Sequence, residues 1–243
     1  MSHDGCRREP LLAFPGWKHL GETVLLALAF TVWFAVIYGG SDLITRWRTQ
    51  RVRIHLDAEL AVPLLPASVV IYMSIYPLFW LAPFVLRSRG QLRAFVTSMA
   101  LVTFVGGIGF LLVPSEVAFA PATVPWPWTD VYAWADLMNL RYNSVPSLHV
   151  ALAILCVDVY AQRAGLAGRL LFWTWGLAIS ASTVLTHFHH LVDVVTGLAL
   201  GLAVSRLGYS RWEVRCSRCR ECVEQNAHQV CKGTPSRSTL PHV

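Results

Sequence analysis

The chain has 243 residues, 55% of them hydrophobic and only 14% charged, with a mean hydropathy of +0.49. Soluble domains carry about 25% charged residues, so this composition excludes an ordinary soluble domain and points to a membrane protein. Much of the formal net charge of +6 sits in short loops and the tail, where Lys and Arg orient membrane proteins. No basic stripe interleaved with aromatic residues offers a groove for nucleic acid.

Residues 1–21 are mixed and polar, and no small-residue cleavage pattern follows the first apolar run, so they read as a cytoplasmic segment ahead of a retained helix. A bilayer core about 30 Å thick takes roughly 20 apolar residues per helix. The first stretch free of Asp, Glu, Lys and Arg runs from Thr23 to Ser41; the second lies between Glu59 and Arg87, and the third between Arg93 and Glu116. After a connection rich in Pro and Trp, a fourth helix is expected from Ser147 to Gln162, a fifth from Leu170 to Thr186 and a sixth from His189 to Leu207. The expected fold is all-α, a polytopic membrane bundle of about six transmembrane helices over residues 22–208, with a cytoplasmic tail over 209–243. Pro63, Pro66, Pro77 and Pro83 in the second stretch predict a kinked helix or a segment lying at the interface.

The loops set the orientation. Arg7, Arg8 and Lys18 precede the first helix, and Arg87, Arg89 and Arg93 separate the second from the third. Arg163 and Arg169 separate the fourth from the fifth, and Arg206, Arg211, Arg215, Arg218 and Arg220 follow the sixth. With six spans all of these fall on one side, which the positive-inside rule makes cytoplasmic together with both termini. The strip Arg46, Arg48, Arg51 and Arg53 falls on the other side, as a break in the pattern or a basic strip near lipid head groups.

Two polar segments share that non-cytoplasmic face. The first ends the connection of residues 114–146 as Asn143-Ser144-Val145-Pro146-Ser147-Leu148-His149. Pro favours the first position of a helix, and a helix start offers unpaired N–H groups and a positive dipole end, a ready anion site. Ser147 adds a hydroxyl donor there, and His149, about one turn in, can protonate a leaving oxygen. The plainer reading is a polar helix start. The second segment is His187-Phe188-His189-His190-Leu191-Val192-Asp193. On a helix, His189 and Asp193 share one face; the carboxylate would fix the imidazole tautomer and leave a competent nucleophile toward phosphorus. An Asp inside an apolar helix is a functional hypothesis by default. His190, three residues from Asp193, competes for the nucleophile role.

Together these segments resemble the type 2 phosphatidic acid phosphatase superfamily, recognised by KxxxxxxRP, PSGH and SRxxxxxHxxxD. Pro146-Ser147-Leu148-His149 matches the second motif with Leu148 for Gly, and Ser182, Thr183, His189 and Asp193 match the third in spacing with Thr183 for Arg. The stretch Asn143 to Ala151 is most similar to the inositolphosphorylceramide and sphingomyelin synthase branch. The resemblance implies that His189 attacks phosphorus to form a phosphohistidine, Asp193 orients it, and His149 protonates the leaving alcohol. It further implies that Ser147 and the Leu148 N–H hold phosphate oxygens, with no metal and no cofactor. The substrate it implies is a membrane lipid phosphate, cleaved at the outer face of a plasma or inner membrane. Water as acceptor makes a lipid phosphatase, and an alcohol makes a phosphoalcohol transferase.

The chain departs from the family pattern in its cations. KxxxxxxRP is absent, and so is the third-motif Arg. His187, Arg141 and the Arg46–Arg53 strip are the candidates to clamp phosphate instead, although an interfacial histidine and a snorkelling arginine are the plainer readings of the first two. A haem- or metal-binding role for His149, His187, His189 and His190 and an inactive lipid-binding relative are the alternatives. Trp126, Trp128 and Trp134 read as an aromatic belt rather than a lining for lipid access. Asp158 reads as a helix-end charge reaching water. Cys216, Cys219, Cys222 and Cys231, with His228, have metal-like spacing, but a reduced, disordered tail is the simpler expectation.

Overall fold

A computed structural model of the protein describes residues 11–115, 117–121, 123–140 and 142–212. Arg7, Arg8, Arg141 and the cysteine-containing tail lie outside the described residues. The first apolar run forms α1 (Trp17–Thr45), whose regular turns widen into a π turn over Ala35–Gly39. Val24, Leu25, Leu28 and Val32 stand exposed along it, an apolar exterior suited to lipid rather than water.

The proline-containing run is both kinked and led in by irregular chain. Residues 62–67 carry Pro63 and Pro66 outside any helix, and the N–H of Leu65 donates to the carbonyl of Leu185 at 2.9 Å. Helix α2 (Ser68–Trp80) then breaks at Ser74 and resumes through Pro77, and a last turn, Ala82–Val85, holds Pro83. A proline lacks the N–H that continues a helix. Helix α3 (Arg89–Leu112) is capped by Ser88, whose hydroxyl accepts the N–H of Gln91. Arg89 and Arg93 both pair with Glu22 of α1, at 2.9 and 2.7 Å, so α1 and α3 start at the same end of the bundle.

The connection after α3 contains α4 (Thr129–Met138), an element its mixed sequence does not announce. Next come α5 (Leu148–Ala161), α6 (Leu166–Leu185) and α7 (Leu191–Trp212), the last running through a π turn at Val204–Tyr209. The protein is thus an all-helical membrane fold, with no strand among the described residues. By length and composition α1, α3 and α7 suffice to cross a membrane, whereas α2 and α5 are shorter apolar helices.

Helix α5 is the centre of the bundle. Every residue from Val150 to Ala161 is buried, as expected of a helix that is apolar all round. Glycines bring its neighbours onto its backbone. A Cβ at Gly197 would stand 2.5 Å from the carbonyl oxygen of Ser147, and one at Gly201 2.4 Å from that of Ala151. The spacing Gly-x-x-x-Gly thus lets α7 lie against α5. From the other side, Gly109 of α3 leaves room for Pro146 and Gly106 for Leu148.

Asp158 does not reach water as the sequence suggests. It is 1% exposed; Arg206 of α7 grips both carboxylate oxygens at 2.7 and 2.6 Å, and Ser205 and Gln162 donate to Oδ2. The reason is tertiary: α7 runs beside α5 and carries its own cation to that depth.

Candidate active site

The turn between α6 and α7 is tightly wound. The carbonyl of Thr183 accepts the N–H groups of both Phe188 and His189, and that of Thr186 accepts the Tyr132 hydroxyl of α4 at 2.6 Å. His189 therefore precedes α7 rather than lying on it, which corrects the expectation of a shared helix face. Asp193, in the first turn of α7, instead folds back over the helix start. Its Oδ2 accepts the backbone N–H of His190 at 2.9 Å and meets Nδ1 of His189 at 3.2 Å. A carboxylate only accepts, so Nδ1 carries the proton and Nε2 keeps its lone pair. Asp193 is fully buried and its Oδ1 has no hydrogen-bond partner.

His190 is occupied on both ring nitrogens. Nε2 accepts the N–H of Ala118 at 3.0 Å, so Nδ1 is the donor, 3.0 Å from Oε2 of Glu59. The same Glu59 oxygen accepts the N–H of Leu191, and Oε1 accepts that of Leu56. Burial pushes the His190 imidazole below its ordinary value despite the carboxylate beside it. Burial works to raise Glu59, but the N–H donors of Leu191 and Leu56 and the His190 ring outweigh it and hold the carboxyl below its usual value. With both nitrogens engaged, His190 has no lone pair to offer, whereas Nε2 of His189 keeps its own.

His149, in the first turn of α5, stacks on the Tyr72 ring at 3.8 Å and donates from Nε2 to the Tyr72 carbonyl at 2.8 Å. His149 and His189 come together in the wall of one cavity of about 870 Å³. Its walls run along α1 from Leu20 to Tyr38, along α2 from Tyr72 to Trp80, and along α3 through Phe95 and Met99. Leu148 and Asn143 close the end that holds the histidines.

The remaining expected site residues separate. Ser147 is fully buried and caps α5 by accepting the N–H of Val150 at 3.3 Å, so Pro146 stands before the cap rather than as the first helical residue. The Leu148 N–H, first in the helix, has no protein acceptor among the described residues. His187, with φ 61°, hydrogen-bonds the Val62 carbonyl through Nε2 and stacks on Phe119; its ring pins the lead-in to α2 and does not line the cavity. Arg141 lies outside the described residues, and Trp126 and Trp134 are exposed, off the cavity wall. No three His, Cys, Asp or Glu side chains among the described residues group as metal ligands. Glu59 and Tyr72 escaped the sequence reading because their partners, His190 and His149, lie 131 and 77 positions away.

A family model of the PAP2 superfamily matches residues 50–207. The chain belongs to the PAP2 superfamily. No curated protein matches it. The matched span starts in the arginine strip and ends in α7, so it contains His149, His189, His190, Asp193, Glu59 and Tyr72, while the α1 wall of the cavity precedes it. Membership in the PAP2 superfamily supports phosphatase-type activity in general.

Proposed function

We propose that this PAP2 protein hydrolyses a phosphoester or pyrophosphate of a membrane lipid at the non-cytoplasmic face, through a phosphohistidine on His189. The observation that carries the reading is the long apolar cavity ending on His149 and His189. From Leu20 to Tyr38 it follows α1 for about 27 Å at 1.5 Å per residue, nearly the depth of a bilayer core of about 30 Å. A hydrocarbon tail fits such a slot, and its phosphate then reaches the histidines.

In the reaction, the Nε2 lone pair of His189 forms a bond to phosphorus as the ester P–O bond breaks. With Nε2–H of His149 held by the Tyr72 carbonyl, its imidazolium form gives the departing oxygen the proton from Nδ1. Asp193 stabilises the positive imidazole, as carboxylates do beside nucleophilic or basic histidines. The free Leu148 N–H at the start of α5 is the donor offered to the developing phosphate charge. Water then attacks phosphorus, gives a proton to His149, and releases His189.

A second reading keeps the first half and replaces water by an alcohol, as in inositolphosphorylceramide and sphingomyelin synthases. The stretch Asn143 to Ala151, with Leu148 in the second motif, favours it. The test is phosphate release from a panel of lipid phosphates in detergent with EDTA present, comparing wild type with His189→Ala. Release that requires His189 and ignores EDTA supports hydrolysis. Head-group transfer to an added acceptor lipid, without release, supports the transferase. A protein inert in both assays refutes the reading.

A further inference from the structure

The arginine strip crosses the end of the bundle that holds the histidines. The Val52 N–H donates to the Pro114 carbonyl at 2.9 Å, the Arg51 guanidinium lies 4.1 Å over the Tyr142 ring, and the His55 ring meets His190 at 5.1 Å. The strip therefore spans from the segment that leads into α5 to the turn that carries His189. Where it crosses, buried polar atoms have no partner. Nη1 of Arg51, Oγ of Ser115, Oδ1 of Asn143 and Oγ of Ser144 are four of the seven such atoms among the described residues, and all belong to the three segments that this crossing joins. Ser115, Asn143 and Ser144 are 0, 1 and 2% exposed, and Asn143 also lines the cavity with His149 and His189.

Unpaired buried polar atoms are rare because each costs desolvation without return. A guanidinium N–H and two hydroxyls can all donate to one anion, and Ser144 stands four residues ahead of the unpaired Leu148 N–H. From this juxtaposition we infer that Arg51, with Ser144 and Ser115, binds the phosphate oxyanion of the substrate, taking the place of the motif cations this chain lacks. The inference rests on the lipid-phosphate reading above. The guanidinium comes from a segment outside the three family motifs and lies over the Tyr142 ring, and a fork of N–H donors suits phosphate geometry.

The experiment is titration calorimetry on the full chain in detergent, in a His189→Ala background so that no turnover consumes the probe. The probes are orthophosphate, a short-chain phosphatidic acid and the matching diacylglycerol. Arg51→Ala should weaken phosphatidic acid binding about ten- to a hundredfold, with Arg51→Lys intermediate and diacylglycerol unaffected. Arg48→Ala, which removes an exposed charge from the same strip, should change little. A parallel loss with orthophosphate shows that the free anion suffices; a loss confined to phosphatidic acid shows that the head group must arrive on its lipid. Arg51→Gln, uncharged but planar over Tyr142, replaces the alanine variant if that one fails to fold. Equal binding by the Arg51 variants, an equal loss in Arg48→Ala, or no binding of either phosphate-bearing probe overturns the inference. Binding that depends on Arg51, in a protein that releases no phosphate from any lipid, removes the hydrolase and leaves Arg51 standing. Hydrolysis indifferent to Arg51 does the reverse.

Discussion

The backbone N–H of Ser147 donates to the backbone carbonyl of Asp193 at 3.0 Å. This single bond joins two segments 46 positions apart and ties the start of α5 to the first turn of α7. His149 lies two residues beyond one partner, and the Asp193 side chain meets His189, so the separation of the two histidines depends on how closely α5 and α7 approach.

The pairing of His189 with Asp193 predicts the most direct loss. His189→Ala should abolish phosphate release. Asp193→Asn leaves an amide oxygen to accept the His190 N–H but removes the negative charge beside the imidazole. It should lower kcat about 10²–10⁴-fold with little change in melting temperature. Steady-state kinetics on a lipid phosphate in detergent, with a thermal melt of each variant, measures both.

Close approach along α7 predicts a backbone effect. At Gly197 and Gly201 the obstructing atoms are carbonyl oxygens of α5, which cannot rotate away. Gly197→Ala and Gly201→Ala should each destabilise by about 1–3 kcal/mol, and Gly197→Ala, one turn from Asp193, should also lower turnover. Gly40→Ala has open space around it and should be neutral or stabilise by up to about 1 kcal/mol. Thermal unfolding in detergent compares the three.

The Asp158–Arg206 pair predicts an asymmetry. Arg206→Ala strands a carboxylate that is 1% exposed, leaving it Ser205 and Gln162 alone, and should cost about 3 kcal/mol. Asp158→Asn frees a guanidinium that is already 61% exposed, so its charge returns to water and the cost should be nearer about 1 kcal/mol. Equal destabilisation by the two variants would falsify this account.

The His190–Glu59 link predicts a pH dependence. Both groups hold protons less tightly in the folded protein than in the unfolded chain. Their stabilisation is therefore complete above the ordinary values, about 6.5 for His and about 4.3 for Glu, and is lost as pH falls through the folded values. The melting temperature should decline on acidification from pH 7 to pH 5, and His190→Asn should flatten that decline. Melts across this range for wild type and variant provide the measurement.

Much of the fold was legible in the chain because bilayer thickness and apolar composition constrain helices locally. The apolar runs became helices in the expected order, and α5 and α6 came within a few residues of their expected bounds. Spacing also singled out His149, His189 and Asp193, which the fold brings to one end of the bundle, since the residues of each motif are near neighbours in sequence. Packing between distant segments was not legible. His189 stands before the helix because the turn wraps around the Thr183 carbonyl, and both nitrogens of His190 are engaged by Glu59 and Ala118, 131 and 72 positions away. The sequence by itself determined that this is a helical membrane protein and which short segments hold the candidate residues. Only the tertiary structure decided which nitrogen is free, where Arg51 lies and how far the apolar slot extends, because each depends on contacts between segments that local propensity cannot encode.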